Sequence, residues 1–281
     1  LPSFTCGRAA TGNIFIVAGF SFGGEGKDMG LVRWEKKDDL LQIVLNRPTA
    51  LNAINSGLLQ EMEQGLKKYE TDETIRSVLV LGEGNCFASG ADIRELSGLD
   101  EDGIRKFHRL RERTFLLLET FPAPTVALIE RYALGTGLEL ALCCDFRIAS
   151  SDARLGVPSA KLGLVESYEY FARLVRAVGL SWAKKMVFGG EPIDGETAWK
   201  IGLVEEVCPP DEIQKWAGSF VSKIRRNSVS SIRETKKILM ECLQDPNLSS
   251  VQDRALPLVK SMKSADFKER TQAFLEKRKK E

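Results

Sequence analysis

The chain has 281 residues, 43% of them hydrophobic, enough to bury a sizeable core as one large domain or a domain with an appendage. Forty basic against thirty-nine acidic side chains leave a formal net charge of +1, which excludes the strong positive bias of a nucleic-acid binder. Six cysteines without CxxC pairing point away from a disulfide scaffold or a zinc site and towards a reducing compartment, so a cytoplasmic location is expected.

Residues 1–28 read as an N-terminal extension unlike the rest, with an apolar run from Ile14 to Phe22 followed by a glycine-rich turn through Gly26 and Lys27. The run is shorter than the roughly 20 apolar residues of a membrane span. Arg8 ahead of it gives a faint look of a secretory signal, but no small-x-small cleavage site follows. A phosphate loop would need Gly where Ser21 stands and Ser or Thr where Asp28 stands, so that reading fails. The remaining reading is that the stretch before Met29 resembles a translated purine-rich ribosome-binding site, with Met29 as the natural start and 1–28 disordered or not natively translated.

From Met29 onward, Leu31 to Val44 alternates as a hairpin, which Pro48 ends. Leu58, Leu59, Met62, Leu66 and Tyr69 recur at helical spacing from Ser56 to Glu70, with Ser56 as the expected N-cap. Val78 to Leu81 reads as a buried parallel strand. The alternation continues with a helix from Ile104 to Thr120, a strand from Thr125 to Ile129, a helix from Gly137 to Cys144 and a strand from Phe146 to Ala149. This rhythm predicts an α/β fold with a mostly parallel sheet. From Ala172 strands nearly vanish, and helices are expected over Trp182 to Phe188, Gly195 to Ile201, Asp211 to Ile224, Ser228 to Gln244, Val251 to Met262 and Asp266 to Lys279. The expected division is a core over 29–220 and a helical C-terminal region over 221–281, with no internal sequence repeat. The single histidine, His108, sits among Arg105, Lys106 and Arg109 and reads as a solvated helix residue rather than a catalytic base.

Two junctions between a strand and a helix carry small residues, Phe87 to Ile93 and Tyr132 to Leu140. A helix start leaves amide N–H groups unpaired and partly positive, so two such starts facing one another can hold a developing oxyanion; tight packing alone also calls for small residues there. Glu139 lies one turn into an apolar run, Leu138 to Leu142. Its plain reading is compensation of the helix dipole, worth up to about 1 kcal/mol. An acid in so apolar a setting is equally a candidate for a raised pKa and proton transfer.

The first junction resembles the F-x-A/S-G-A-D-I/L signature of the enoyl-CoA hydratase/isomerase (crotonase) superfamily. The second resembles its Y-A-L-G-G-G-x-E-L-A signature, running on into Cys144-Asp145-Phe146-Arg147-Ile148-Ala149. Leu45 to Ala53, Pro124 to Ala127, Leu155 to Pro158, Gly202 to Val204 and Ala273 to Lys279 follow the same family in order, so the resemblance spans roughly Met29 to Lys279. It implies a spiral of ββα units with a helical C-terminal region that builds homotrimers or dimers of trimers, and an acyl-CoA thioester as substrate without a further cofactor; the cysteine pattern, the near-neutral charge and the short apolar run add the expectation of no metal, nucleic-acid or membrane partner. It implies an oxyanion hole from the backbone N–H groups of Ala91 and Thr136, with Glu139 as catalytic carboxylate. The substrate-binding set would be Ala50, Leu51, Ala53, Ser89, Asp92, Ile93, Pro158 and Ser159. Phe274 and Lys277 would reach a neighbouring subunit's CoA phosphates, or else form a plain amphipathic tail.

The sequence departs from the family at two places. The second glutamate expected twenty residues after the first is Ser159, which has no ionisable group for acid/base work near neutral pH. The Gly-rich stretch that follows becomes Glu166 to Leu174, a bulkier segment in which Glu166 or Glu169 could replace the missing acid; the favoured reading makes both solvated loop residues. Hydration of a 2-enoyl-CoA is the leading expectation. Isomerisation or decarboxylation with one carboxylate is the alternative, and a non-catalytic CoA- or RNA-binding role is a reading of another class.

Overall fold

The computed structural model describes residues 30–247 and 249–278, with the side chains of Lys277 and Arg278 excepted. The readings made for residues 1–28, and the role given to the Lys277 side chain, lie outside the described residues.

The expected hairpin forms from β1 (Val32–Lys37) and β2 (Leu40–Leu45), which pair antiparallel from Val32 opposite Leu45 to Lys37 opposite Leu40. Its two-residue turn places Asp38 at φ 54°, the left-handed conformation that such tight turns need. All six residues of β2 are buried because the strand is covered on both faces. Leu41, Ile43 and Leu45 point into the main core, while Leu40 and Val44 join a second, smaller cluster on the opposite side. Each such aliphatic side chain contributes about 1.5–3 kcal/mol on burial.

Helix α1 (Ser56–Tyr69) buries Leu58, Leu59, Met62 and Leu66. Its N-cap is Asn55 and not Ser56: the backbone of Asn55 is still extended, and its side chain accepts a hydrogen bond from the Leu58 N–H at 2.9 Å. There follow β3 (Ser77–Gly82), the short α2 (Ile93–Leu96) capped by Asp92, and α3 (Glu101–Glu119) capped by Asp100. Strand β4 (Thr125–Ile129) leads to β5 (Tyr132–Leu134), α4 (Thr136–Leu142), β6 (Phe146–Ser150) and β7 (Arg154–Gly156). Next come α5 (Tyr168–Gly189), β8 (Ile193–Asp194), α6 (Gly195–Lys200), β9 (Glu206–Cys208) and α7 (Ile213–Arg225). The chain ends in α8 (Val229–Gln244), α9 (Leu256–Lys263) and α10 (Ala265–Arg278).

The strands fall into two sheets. The larger has the order β1-β2-β3-β4-β6-β9 and is parallel from β2 onward; the smaller has the order β5-β7-β8. The bridges Ala88 to Ala133 and Ile54 to Ala91 carry the smaller sheet's pairing back into the earlier loops. Each turn of the chain thus adds a long strand to one sheet, a short stretch to the other and then a helix, which is the spiral of ββα units. The repeat is one of geometry without a sequence repeat, because the second strand of each unit has only two or three residues and leaves no periodic signature.

The segment from Tyr168 to Leu174 is helix rather than loop. Ser167 caps it, accepting from the Tyr170 N–H at 3.2 Å, and α5 runs on through a break at Gly179, whose φ of +71° suits glycine. Beyond α7, helices α8 and α9 bury none of their residues, and Leu239, Leu258 and Met262 are exposed. No helix among the described residues is long and apolar enough to cross a membrane.

Candidate active site

The two glycine-containing junctions are joined. The Ala88 N–H donates to the Tyr132 carbonyl at 2.9 Å, and the Leu134 N–H donates to the Ala88 carbonyl at 3.1 Å. The start of α4 then presses against the first junction so closely that a Cβ on Gly137 would lie 2.4 Å from the Ala88 carbonyl oxygen. Small residues are therefore needed for packing, and that same packing sets two helix entries side by side.

The bridge at Ile54 uses the Gly90 carbonyl and the Asp92 N–H, at 2.8 and 2.9 Å, and leaves the Ala91 N–H without a protein acceptor among the described residues. Thr136 is the first residue of α4, so its N–H has no partner within the helix. Both residues line one cavity of about 450 Å³, and they are the donors expected for an oxyanion. The Thr136 side chain, present where the family pattern has Gly, is buried at this point.

Beside the cavity lies a cluster of four carboxyl groups and two guanidinium groups. Glu139 is fully buried. Its Oε1 accepts from Arg173 Nη1 at 3.1 Å, and its Oε2 sits 3.4 Å from Arg111 Nε without forming a hydrogen bond. Arg173 also donates to Glu112 and Glu119, each at 3.1 Å. Arg111 also meets Glu112 at 3.2 Å and Glu166 Oε2 at 3.9 Å. If every group were ionised, the cluster would hold two negative charges in excess (four carboxylates less two guanidinium groups). A proton on Glu139 relieves part of the excess. Burial, opposed by Arg111 and reinforced by Glu112, pushes the Glu139 carboxyl up to about 8. Burial also raises Glu166, again opposed by Arg111. The Tyr170 hydroxyl, which feels the charges of Glu166 and Glu139, is buried with no hydrogen-bond partner among the described residues.

Ser89, Ile93, Pro158 and Ser159 join Ala91 and Thr136 on the cavity wall. Glu139 stands behind the wall, in contact with Arg111, which does line it. Ala50, Leu51 and Ala53 do not line the cavity; they form the turn behind Ser89, whose N–H donates to the Leu51 carbonyl at 3.0 Å. Asp92 likewise stands off the wall, capping α2 and pairing with Arg47 at 2.9 Å. Phe274 lies exposed on α10, outside the cavity.

The expectation for one of the two later acids is corrected. Glu166 is not a solvated loop residue: its side chain is 7% exposed and lines the cavity, because the helix that starts at Tyr168 fixes the preceding turn against α3. Glu169 is exposed in the first turn of α5. His108 is half-exposed yet lines the cavity, with Nδ1 3.5 Å from Arg111 Nη2. The ligand atoms of His108, Glu112 and Glu169 lie within 4.8 Å of one another, but Glu112 is already held by both arginines, which argues against a cation there.

Arg111 and Arg173 are the site residues that the sequence reading missed. Their signal is positional: Arg111 stands at core spacing between Phe107 and Phe115 on α3, and Arg173 between Tyr170 and Leu174 on α5. A charged residue at a buried helical position requires a partner.

Residues 35–281 match the enoyl-CoA hydratase/isomerase family. The chain is 34% identical to a short-chain-enoyl-CoA hydratase of Clostridium acetobutylicum over 246 residues, covering 87% of this chain and 94% of the relative. It is 35% identical to a 2,3-dehydroadipyl-CoA hydratase of Escherichia coli over 245 residues, covering 86% and 94%. Among solved structures, an enoyl-CoA hydratase from Bacillus anthracis superposes with a TM-score of 0.83 at 30% identity, covering 88% of this chain and 96% of that one.

Proposed function

This chain belongs to the enoyl-CoA hydratase/isomerase family, and from that premise we propose that it adds water across the double bond of a 2-enoyl-CoA. The observation that carries the reading is the pair of unbonded N–H groups, Ala91 and Thr136, opening on one cavity with a buried carboxyl one helical turn further on. In this reading the thioester oxygen accepts from both N–H groups. As the water oxygen bonds to Cβ, the π electrons move onto the thioester, and the resulting enolate is held by those donors. Glu139, protonated near neutral pH, gives its proton to Cα, while the proton released by the water passes to a second basic group. Glu139 stands behind Arg111; catalytic contacts of this kind commonly tighten around bound substrate.

Ile93, Leu96, Ile104, Phe107, Leu162 and Leu164 make much of the cavity apolar, which suits a hydrocarbon acyl group. Ala50, Leu51, Ala53, Ser89, Asp92 and Ile93 are proposed to guide the CoA moiety, with Pro158 and Ser159 at the acyl end. Phe274 and Lys277 are proposed to meet the CoA phosphates of an adjacent subunit. No cofactor is required beyond the CoA that the substrate carries.

Ser159 favours a second reading, in which one carboxyl moves a proton along the acyl chain and isomerises a double bond, or in which an enolate forms by loss of carbon dioxide from a malonyl-type thioester. The test is to incubate the pure protein with enoyl-, dienoyl- and malonyl-type CoA thioesters and resolve the products by mass. A product heavier than its enoyl-CoA by one water is expected. An isomer or a decarboxylated product alone would replace the hydratase reading with the second one, and binding without turnover across the panel would replace both.

The reading extends to assembly and location. A homotrimer, or a dimer of trimers, is supported by the exposed apolar side chains of α8 and α9, Leu239, Leu243, Leu256, Leu258, Val259 and Met262. Sedimentation is expected to give the mass of three or six chains; a monomer at micromolar concentration would refute it. A cytoplasmic location is supported by Cys86, Cys143, Cys144, Cys208 and Cys242, all of which are free thiols.

A further inference from the structure

We propose that Glu166 is the second catalytic carboxylate of this site, taking the place that Ser159 leaves vacant in sequence and acting as the base that receives the proton of the attacking water. The inference rests on the hydratase reading above.

Three observations of geometry carry it. First, Glu166 is the cluster carboxyl that both contacts Arg111 and faces the cavity: its side chain is 7% exposed and lines the wall together with Ala91, Thr136 and Ser159. Second, its Oε1 lies 3.8 Å from where a Cβ on Gly135 would stand, which sets the carboxyl beside the residue that precedes the Thr136 donor. The carboxyl thus stands at the same junction as the Thr136 donor and on the same cavity wall. Third, Glu166 and Glu139 flank the same guanidinium, with Arg111 Nη1 3.9 Å from Glu166 Oε2 and Arg111 Nε 3.4 Å from Glu139 Oε2. No other ion pair or hydrogen bond holds Glu166 among the described residues, so it keeps lone pairs for a water, whereas Glu112 and Glu119 are committed to Arg173.

The charged and titratable groups around it come from three elements: His108, Arg111 and Glu112 on α3, Glu139 on α4, and Glu169, Tyr170 and Arg173 on α5. Burial raises the Glu166 carboxyl and Arg111 opposes the rise, which makes it a better base than an ordinary surface glutamate. Ser159, although on the wall, cannot accept a proton in this way.

The step balances. The Glu166 carboxylate takes one proton from water as the water oxygen bonds to Cβ. The Cα–Cβ π pair moves to form the enolate held by Ala91 and Thr136, and Glu139 protonates Cα. Solvent exchange on product release returns a proton to Glu139 and removes one from Glu166, for a net addition of one water.

The test compares wild type, Glu166→Gln and Glu139→Gln on two reactions: hydration of the 2-enoyl-CoA that the wild type accepts, and exchange of solvent deuterium into Cα of the saturated acyl-CoA of the same length. Exchange needs the oxyanion donors and Glu139 but no attacking water. Glu166→Gln is expected to lose hydration by about 10²-fold or more, to lose the acid limb of the kcat/KM pH profile, and to retain exchange; Glu139→Gln is expected to lose both. Hydration by Glu166→Gln at the wild-type rate would overturn the proposal, as would hydration and exchange falling together, which would mark Glu166 as a support of the pocket. A wild type that exchanges but never hydrates would overturn the hydratase reading, and Glu166's role with it, while leaving the enolate chemistry standing; a wild type that does neither would overturn the enolate chemistry as well.

Discussion

Glu139→Gln is expected to reduce kcat for the accepted enoyl-CoA by about 10²–10⁴-fold, the usual scale for removing one positioned acid or base. The exchange keeps the side chain's shape, so the loss reports the missing proton rather than a hole in the core. Arg173 would retain Glu112 and Glu119 as partners, each at 3.1 Å, and the fold should survive. The pH dependence supplies an independent check. The carboxyl lies at about 8 in the folded chain against an ordinary 4.5, because burial disfavours its charged form. Between those values the folded state holds a proton that the unfolded state has released. The stability contributed by the neutral carboxyl is therefore full below about 4.5 and lost as the pH rises towards about 8. Glutamine has no proton to lose, so the melting temperature of the variant should decline less than that of the wild type across this window. Catalysis by an acid of this kind should also fall off on the alkaline side of about 8. Undiminished turnover in the folded variant would remove Glu139 from the mechanism.

Thr136→Pro should lower kcat by about 10²–10³-fold, the effect of losing one oxyanion donor. Proline removes the N–H together with the threonine hydroxyl and methyl, and the glycine control removes the latter two alone. Thr136 is the first residue of α4, where proline is tolerated because that N–H has no helical partner. Gly135 ahead of it has no Cβ to clash with the ring. Thr136→Gly is the control: it keeps the donor, supplies the residue of the family pattern, and should stay close to wild type. The loss should fall on kcat more than on KM, since a donor aimed at developing charge acts mainly in the transition state. A folded Thr136→Pro with wild-type kcat would show that this N–H does not hold the oxyanion.

Both predictions concern residues in segments that local sequence pattern had marked, with their roles supplied by the family resemblance. Helical spacing of apolar residues, continuous buried strands and small residues at strand-to-helix junctions are all written within a window of a dozen residues. So the α/β alternation, the helical C-terminal region, the Ala91 and Thr136 junctions and Glu139 in its apolar run were legible. The cap of α1 was displaced by one residue, to Asn55, because either neighbour could have capped it and only the backbone conformation chose between them.

What the sequence did not contain was the company that each side chain keeps. The strands β5, β7 and β8 are two or three residues long and exist only because another turn of the spiral pairs with them. Arg173 meets Glu139 from 34 residues away, and Glu112 from 61. Glu166 reads as a polar residue beside a turn until α3 and α5 close over it and bury its carboxyl against Arg111. The family resemblance carried by the two junctions pointed to where an oxyanion is proposed to be held and to Glu139 as the acid nearest in the chain. Tertiary packing decided which carboxyls share a guanidinium, which of them hold a proton and which one faces the cavity, because desolvation and Coulomb terms depend on distances that only the folded chain creates.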